Sequence, residues 1–343
     1  MKRKIWLFVL LLVVVVALVF YGPLLVYGLR QGWGQLSIVW NARPVEYYLN
    51  DPAFPDSLKA RLRLIDEVRQ FAIDSLHLKD TENYHTVFDQ KGQEIMWVVT
   101  ASEPFQLKPK TWHFPVVGTV PYKGYFNKEL AIAERDQLIA EGYDVSVRNP
   151  GAWSTLGWFT DPILTGMLTR SEGDLASLII HEMVHATFWV KDSVTFNENL
   201  ASFIGDTAAY QFLAWKYGAD SDQYRTYLYE DQDYRTYSAY VLKASQRLDS
   251  LYGTYTEAMP VEEKKAKKEQ MIRAIVAHMD TLNLHLVARP SQRFSHRLPN
   301  NAYFLAYRHY QSKQTVFEKE LDSLFHGDLR AYVKFLSTKF TSL

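Results

Sequence analysis

The sequence predicts an α+β fold, predominantly helical, in which a small β-sheet packs on a buried helix and a transmembrane helix precedes the body. Three observations predict it: an uncharged apolar run from Ile5 to Gly28, an aromatic stretch at about 84–160 punctuated by Pro and Gly, and helical patterning from Ser171 onward. With 343 residues, 48% hydrophobic and 15% aromatic, the chain buries a substantial core, which excludes a disordered class. Lys plus Arg balance Asp plus Glu at 38 each, so no overall field favours nucleic acid, and a small neutral substrate class fits better. The chain has no cysteine. That removes thiolate nucleophiles, disulfides and cysteine-based zinc sites, and any metal must sit on His and carboxylate groups.

Residues 1–30 read as a membrane anchor. MKRK precedes the apolar run, so the positive end stays in the cytoplasm and the following chain is sent outward. The run is long enough to cross a hydrocarbon core, and no small-x-small cleavage site follows it, which favours an uncleaved anchor over a cleaved signal. In this reading Pro23 kinks the helix and Tyr21, Tyr27 and Trp33 occupy its outer interfacial end. The expected location is the cytoplasmic membrane, single-pass, with the remaining chain on the periplasmic side.

Residues 31–343 read as one domain. In Ser57–Leu78, Leu58, Leu62, Ile65, Val68 or Arg69, and Ala72 recur at helical spacing with charges opposite, and Asp56 or Ser57 can cap the helix. EIMWVVTA, TWHFPVVGTVPYKGYF and YDVSVRNPGAWSTLGWF form a β-rich part at about 84–160, with a helical insert at Asn127–Glu141. From about 171 to 343 the pattern is helical, and EEKKAKKE at 262–269 is a solvated helix face.

The chemistry concentrates in HEMVH. Ser171 with Asp174 three residues on resembles a capping box, which starts a helix near Glu172. Residues four apart share a helix face, so His181 and His185 can point imidazole nitrogens at a single ion. Glu182 lies a quarter-turn round, suited to act on a water as general base. Leu178, Ile179, Ile180, Met183, Val184 and Ala186 make this helix apolar on nearly every side, and burying three unpaired polar groups within it is costly unless a zinc ion satisfies them. Glu198, thirteen residues past His185, is the best third ligand, with small Ala201 and Ala208 permitting close approach of its helix; Glu230 is a distant alternative. Asp206 is a candidate to orient a ligand imidazole or an ordinary surface aspartate. An oxyanion stabiliser is not singled out among 22 tyrosines, and His113 and His296 are the remaining histidines to place near the metal.

HEMVH followed by NENLAS resembles the gluzincin arrangement of HExxH metallopeptidases, although the interval to the glutamate is shorter here. VVGTVPYKGYF, GAWSTLGWFTDPIL, HEMVHATFWVKDSVTFNENLASFIG and PNNAYFLAYRHY are similar to the bacterial family described as predicted or putative zinc aminopeptidases. The resemblance implies a zincin-like fold and one Zn²⁺ held by His181, His185 and Glu198, with Glu182 as base. It also implies substrate pairing along Ser154, Thr155, Leu156 and Gly157, or else an aromatic hairpin that only packs there. Tyr122, Tyr125 and Tyr310 are candidates to line the cleft, and Asn301 to support it. Some members of the family resemble lipoproteins anchored through an N-terminal cysteine, which this chain lacks, and the GxMEN motif whose glutamate binds a substrate amine in one aminopeptidase group is missing too. The expectation is thus a zinc peptidase acting on a peptide substrate outside the cytoplasm, with a cell-wall amidase and a non-catalytic membrane scaffold holding a structural metal as the alternatives.

Overall fold

A computed structural model describes residues 2–114, 118–150, 160–191, 193–311 and 314–340, with side chains from 22 onward apart from 309–311. The first part runs α1 (Lys2–Asn41), β1 (Arg43–Pro44), α2 (Val45–Asn50), α3 (Asp56–Leu76), then β2 (Thr86–Phe88) and β3 (Trp97–Ser102). The middle holds β4 (Trp112–Phe114), β5 (Gly118–Val120), β6 (Lys123–Tyr125), α4 (Lys128–Ala140), β7 (Asp144–Arg148) and β8 (Ile163–Leu164). The rest is helical: α5 (Glu172–Thr187), α6 (Val194–Tyr217), α7 (Asp222–Gly253), α8 (Val261–Met279), α9 (Asn301–Gln311), α10 (Gln314–Phe325) and α11 (Leu329–Lys339).

The N-terminal expectation is corrected. Among the described residues no helix is long and apolar enough to cross a membrane, so neither the transmembrane helix nor the single-pass, outward placement derived from it stands. The apolar run does not end at an interface. Instead α1 continues through Pro23 and past Arg30, Gln31 and Gln35 to Asn41. Tyr27, expected at a lipid interface, donates to the Gly124 carbonyl at 2.9 Å and stacks on Phe114, so this turn of the helix is held by protein.

Local signals placed the other early elements well. In α3 the buried positions include Leu62, Ile65, Val68, Arg69 and Ala72, and the helix stops where His77 takes the left-handed conformation at φ 58°. Asn127 caps α4 by accepting from the Leu130 amide at 2.8 Å. Within the 262–269 charge run, Lys268 departs from the solvated reading: it turns inward to pair with Asp144 of β7 and to donate to the Pro104 carbonyl.

The strands are distributed over three small sheets rather than one. These are β1–β2–β8, β6–β3–β7 and the β4–β5 hairpin. The β6–β3–β7 sheet lies between α4 and α9. The helix carrying HEMVH instead packs on α3, α6 and α7, because it is apolar all round and helices cover it on several sides. Of the described strand residues, Val87, Ile163 and Leu164 of β2 and β8 are buried in its core and Phe88 packs against it.

Candidate metal centre

Helix α5 begins as its sequence dictates: Ser171 Oγ accepts from the Asp174 amide at 3.1 Å. From there Leu175, Ala176, Ile179 and Ile180 sink into the core with no exposure above 0%. His181 and His185 follow one turn apart. Their Nε2 atoms lie 3.0 Å from each other, and the Glu198 carboxylate of α6 stands 3.4 Å from the first and 3.6 Å from the second. Among the described residues this is the one cluster of His and carboxylate groups able to hold a metal ion.

Two local devices bring Glu198 there. The turn between the helices is closed by buried Asn197, whose amide donates to the Val190 carbonyl at 2.8 Å and accepts from the Val190 amide at 3.0 Å. Further along, Gly205 lets the two helices touch. A Cβ at this position would lie 2.7 Å from the Ser177 carbonyl oxygen and 3.3 Å from the His181 amide nitrogen. The small residues Ala201 and Ala208, both fully buried, extend the same close face.

The triangle fits an ion. Three ligand atoms on a tetrahedral zinc at 2.0–2.1 Å sit about 3.4 Å apart, close to the three observed separations. Burial raises the Glu198 carboxyl, but the two adjacent imidazoles outweigh it and hold the group well below the ordinary carboxylate range. Glu182 is 7% exposed, and its Oε2 is buried with no hydrogen-bond partner. Burial pushes its carboxyl up to about 7; His181 opposes this, while Glu198 and Asp161 add to it. A buried carboxyl with one oxygen unpartnered, beside an imidazole and a carboxylate, is a poor structural element and a good proton acceptor.

The surroundings of each histidine differ. His181 Nδ1 lies 3.4 Å from Ser202 Oγ, a long contact. His185 Nδ1 is buried without a partner, and its ring is instead met edge-on by Trp189 at 5.4 Å. Ser202 lies four residues past Glu198 on α6, so its signal was present in the sequence, whereas Trp189 lies beyond the end of α5 at Thr187, after an extended Phe188, and helical spacing does not place it. Tyr84 and Asp161, buried near Glu182, carried no such signal, because a backbone hydrogen bond from Tyr84 to Asp161 brings distant segments together at 2.8 Å.

A cleft with about 450 Å³ of empty space, open solvent at its mouth included, lies on the Glu198 side, between α6 on one hand and α9 with the β6–β3–β7 sheet and its flanking turns on the other. Tyr122 lines it beside Pro121, Thr100 and Arg148. Tyr125 is buried and donates to Glu134 at 2.8 Å on the far side of its strand pairing. Asn301 is fully buried: it accepts from Tyr252 at 2.7 Å and donates to the Glu103 carbonyl at 2.9 Å, while its neighbour Ala302 lines the cleft. Asp206 accepts from Ser177 Oγ, one turn before His181, at 2.7 Å and from Tyr227 at 3.2 Å. Glu230 accepts from Ser171 Oγ at the start of α5. His113 pairs with Thr119, and His296 is exposed in a loop. Ser154, Thr155, Leu156 and Gly157 lie outside the described residues, as does the side chain of Tyr310.

Residues 26–339 match the family described as putative aminopeptidase. No curated protein and no solved structure matches the chain.

Proposed function

The chain belongs to the putative aminopeptidase family, whose match spans most of its length, and on that premise we propose that it is a zinc-dependent peptidase using His181, His185 and Glu198 as metal ligands and Glu182 as general base. One observation carries the reading: a triangle of two imidazoles and a carboxylate at ligand separations, with an unpartnered buried carboxyl on the next residue of the same helix. A divalent ion held there supplies Lewis acidity toward a peptide carbonyl and an attacking water.

The protein's own residues do the rest. Glu182 takes the proton from the attacking water and returns it to the leaving amine, a double role that suits a carboxyl whose affinity for protons is raised by burial. Asn197 and Gly205 hold Glu198 and the histidine helix at a fixed separation, so the ligand set is formed by the fold itself. The apolar packing around α5 keeps bulk water from the carboxyl.

The test pairs metal content with chemistry. Purified full-length chain is expected to hold about one zinc, and Glu182→Gln to keep that zinc while losing ~10²–10⁴-fold in peptide hydrolysis. Unchanged hydrolysis in the Glu182→Gln chain, or metal content indifferent to His181→Ala and His185→Ala, would sink the reading. Acetylating the amino terminus of a cleaved peptide separates the two modes of action, since an aminopeptidase then stops and an endopeptidase does not.

A further inference from the structure

The cleft beside Glu198 has a chemical character that the ligand set alone does not dictate. Its walls come from separate elements, yet most of them are apolar: Ala101 of β3, Pro109, Val194 at the start of α6, and Ala302, Leu305 and Ala306 of α9. Among the described residues the one acidic group in it, Glu198, stands against the two imidazoles. The basic group, Arg148, is exposed at the outer end of β7. Small side chains at positions 101, 302 and 306 leave the space open, since a larger residue at any of them would occupy the cleft. Glu198 belongs both to the candidate ligand triangle and to the cleft wall, so a group seated in the cleft lies beside that carboxylate.

We propose that this cleft receives the substrate side chain adjoining the scissile bond and selects an uncharged apolar one of leucine to phenylalanine size. The assignment rests on the peptidase reading above. An apolar side chain entering the cleft leaves water for walls that are mostly apolar, with polar groups only at Thr100, Tyr122, Arg148 and Glu198 among the described residues, whereas a charged one would lose much of its hydration there. An acidic side chain would in addition approach the Glu198 carboxylate. Leu305 and Ala306 line the cleft from α9, and Ala306, only half-buried, is the position where added bulk would narrow the cleft with least disturbance to the core.

The experiment uses zinc-loaded full-length chain and peptides that vary only at the two residues flanking the cleaved bond, with Leu, Phe, Ala, Asp or Lys at each. At one of these positions kcat/KM for Leu and Phe is expected to exceed that for Ala by ~10–100-fold, with Asp and Lys lower still. Ala306→Phe is expected to cut the Leu-to-Ala ratio by ~10-fold while its zinc content stays at that of the native chain. Equilibrium binding of the same peptides to the Glu182→Gln chain reads the ranking without turnover, and it serves where Ala306→Phe folds poorly. Equal rates across the panel, or a preference for Asp or Lys at both positions, overturn the proposal and leave the peptidase reading standing. A chain that holds zinc but neither cleaves nor binds any of the peptides overturns both.

Discussion

The two walls of the cleft are built on different principles. The wall of α5 and α6 is an apolar helix pair pressed together at Gly205, and it carries every proposed ligand on two adjacent turns and one facing helix. The opposite wall, the β6–β3–β7 sheet with α9, is held in place by a few buried polar anchors. Asn301 binds Tyr252 and the Glu103 carbonyl, Asp144 receives the Asn301 amide at 2.8 Å together with Lys268, and Asn300 donates to the Val145 carbonyl at 2.9 Å. Close packing fixes distances to fractions of an ångström over a whole face, whereas hydrogen bonds fix a few points. The comparison teaches that the proposed chemistry sits on the wall that cannot yield, and the proposed substrate contact on the wall that polar anchors position.

The largest expected effect breaks the first wall. Gly205→Ala places a Cβ 2.7 Å from the Ser177 carbonyl, where only backbone movement can relieve it. A loss of ~2–3 kcal/mol in unfolding free energy is expected, together with weaker zinc binding, since α6 must retreat from the histidines. Chemical denaturation with and without zinc measures both, and a variant as stable as the native chain would mean that the contact is not tight. Asn301→Ala breaks the second wall instead. Removing a fully buried amide with partners on both sides is expected to cost ~2 kcal/mol, raise KM and leave zinc affinity unchanged. If zinc affinity falls as far as in Gly205→Ala, the two walls are not separable.

The same contrast explains what could be read from the sequence. The ligand wall was legible because its signals are local: a capping serine at 171, two histidines at i and i+4, and a glutamate on the next helix. The cleft wall was not, since Thr100, Ala101, Arg148 and Ala306 become neighbours only through strand pairing and the docking of α9, and nothing in their types marks them. Tyr122 was picked for its place in a glycine turn and does line the cleft, whereas Tyr125, three residues on, faces Glu134 because of the strand's alternation. The N-terminal run shows the opposite failure. Hydropathy read alone ended a helix at Gly28, but the helix continues to Asn41 and Tyr27 binds Gly124, contacts that a window of composition cannot anticipate.

A smaller effect sharpens the account of the ligand wall itself. Ligand imidazoles are commonly oriented by a hydrogen bond to the far ring nitrogen, but His185 Nδ1 has none and meets Trp189 edge-on instead. Trp189→Ala is expected to weaken zinc binding by ~10-fold, and Trp189→Phe to restore most of it. Competition with a chromophoric chelator reads this directly. An alanine variant with native zinc affinity would show that helix packing alone aims the ring.

The ligand wall also contains one group that works against its own fold. Asp206 joins α6 to Ser177 of α5 and Tyr227 of α7, and burial pushes its carboxyl from 3.8 up to about 6, with Ser177 opposing. The folded chain therefore holds a proton that the unfolded chain releases at lower pH. The contribution of this group is full below 3.8 and is lost as pH rises to about 6. Asp206→Asn keeps an oxygen that can accept from Ser177 but carries no charge at any pH. It is expected to stabilise the chain at pH 7 by ~1 kcal/mol, a figure kept small because the side chain is partly exposed, and to lose that advantage below about pH 4. Urea midpoints for the native and variant chains at the two pH values give the comparison. An advantage of equal size at both would show that the carboxylate is solvated well enough to ionise freely, and that the apolar wall tolerates charge one turn from its ligands.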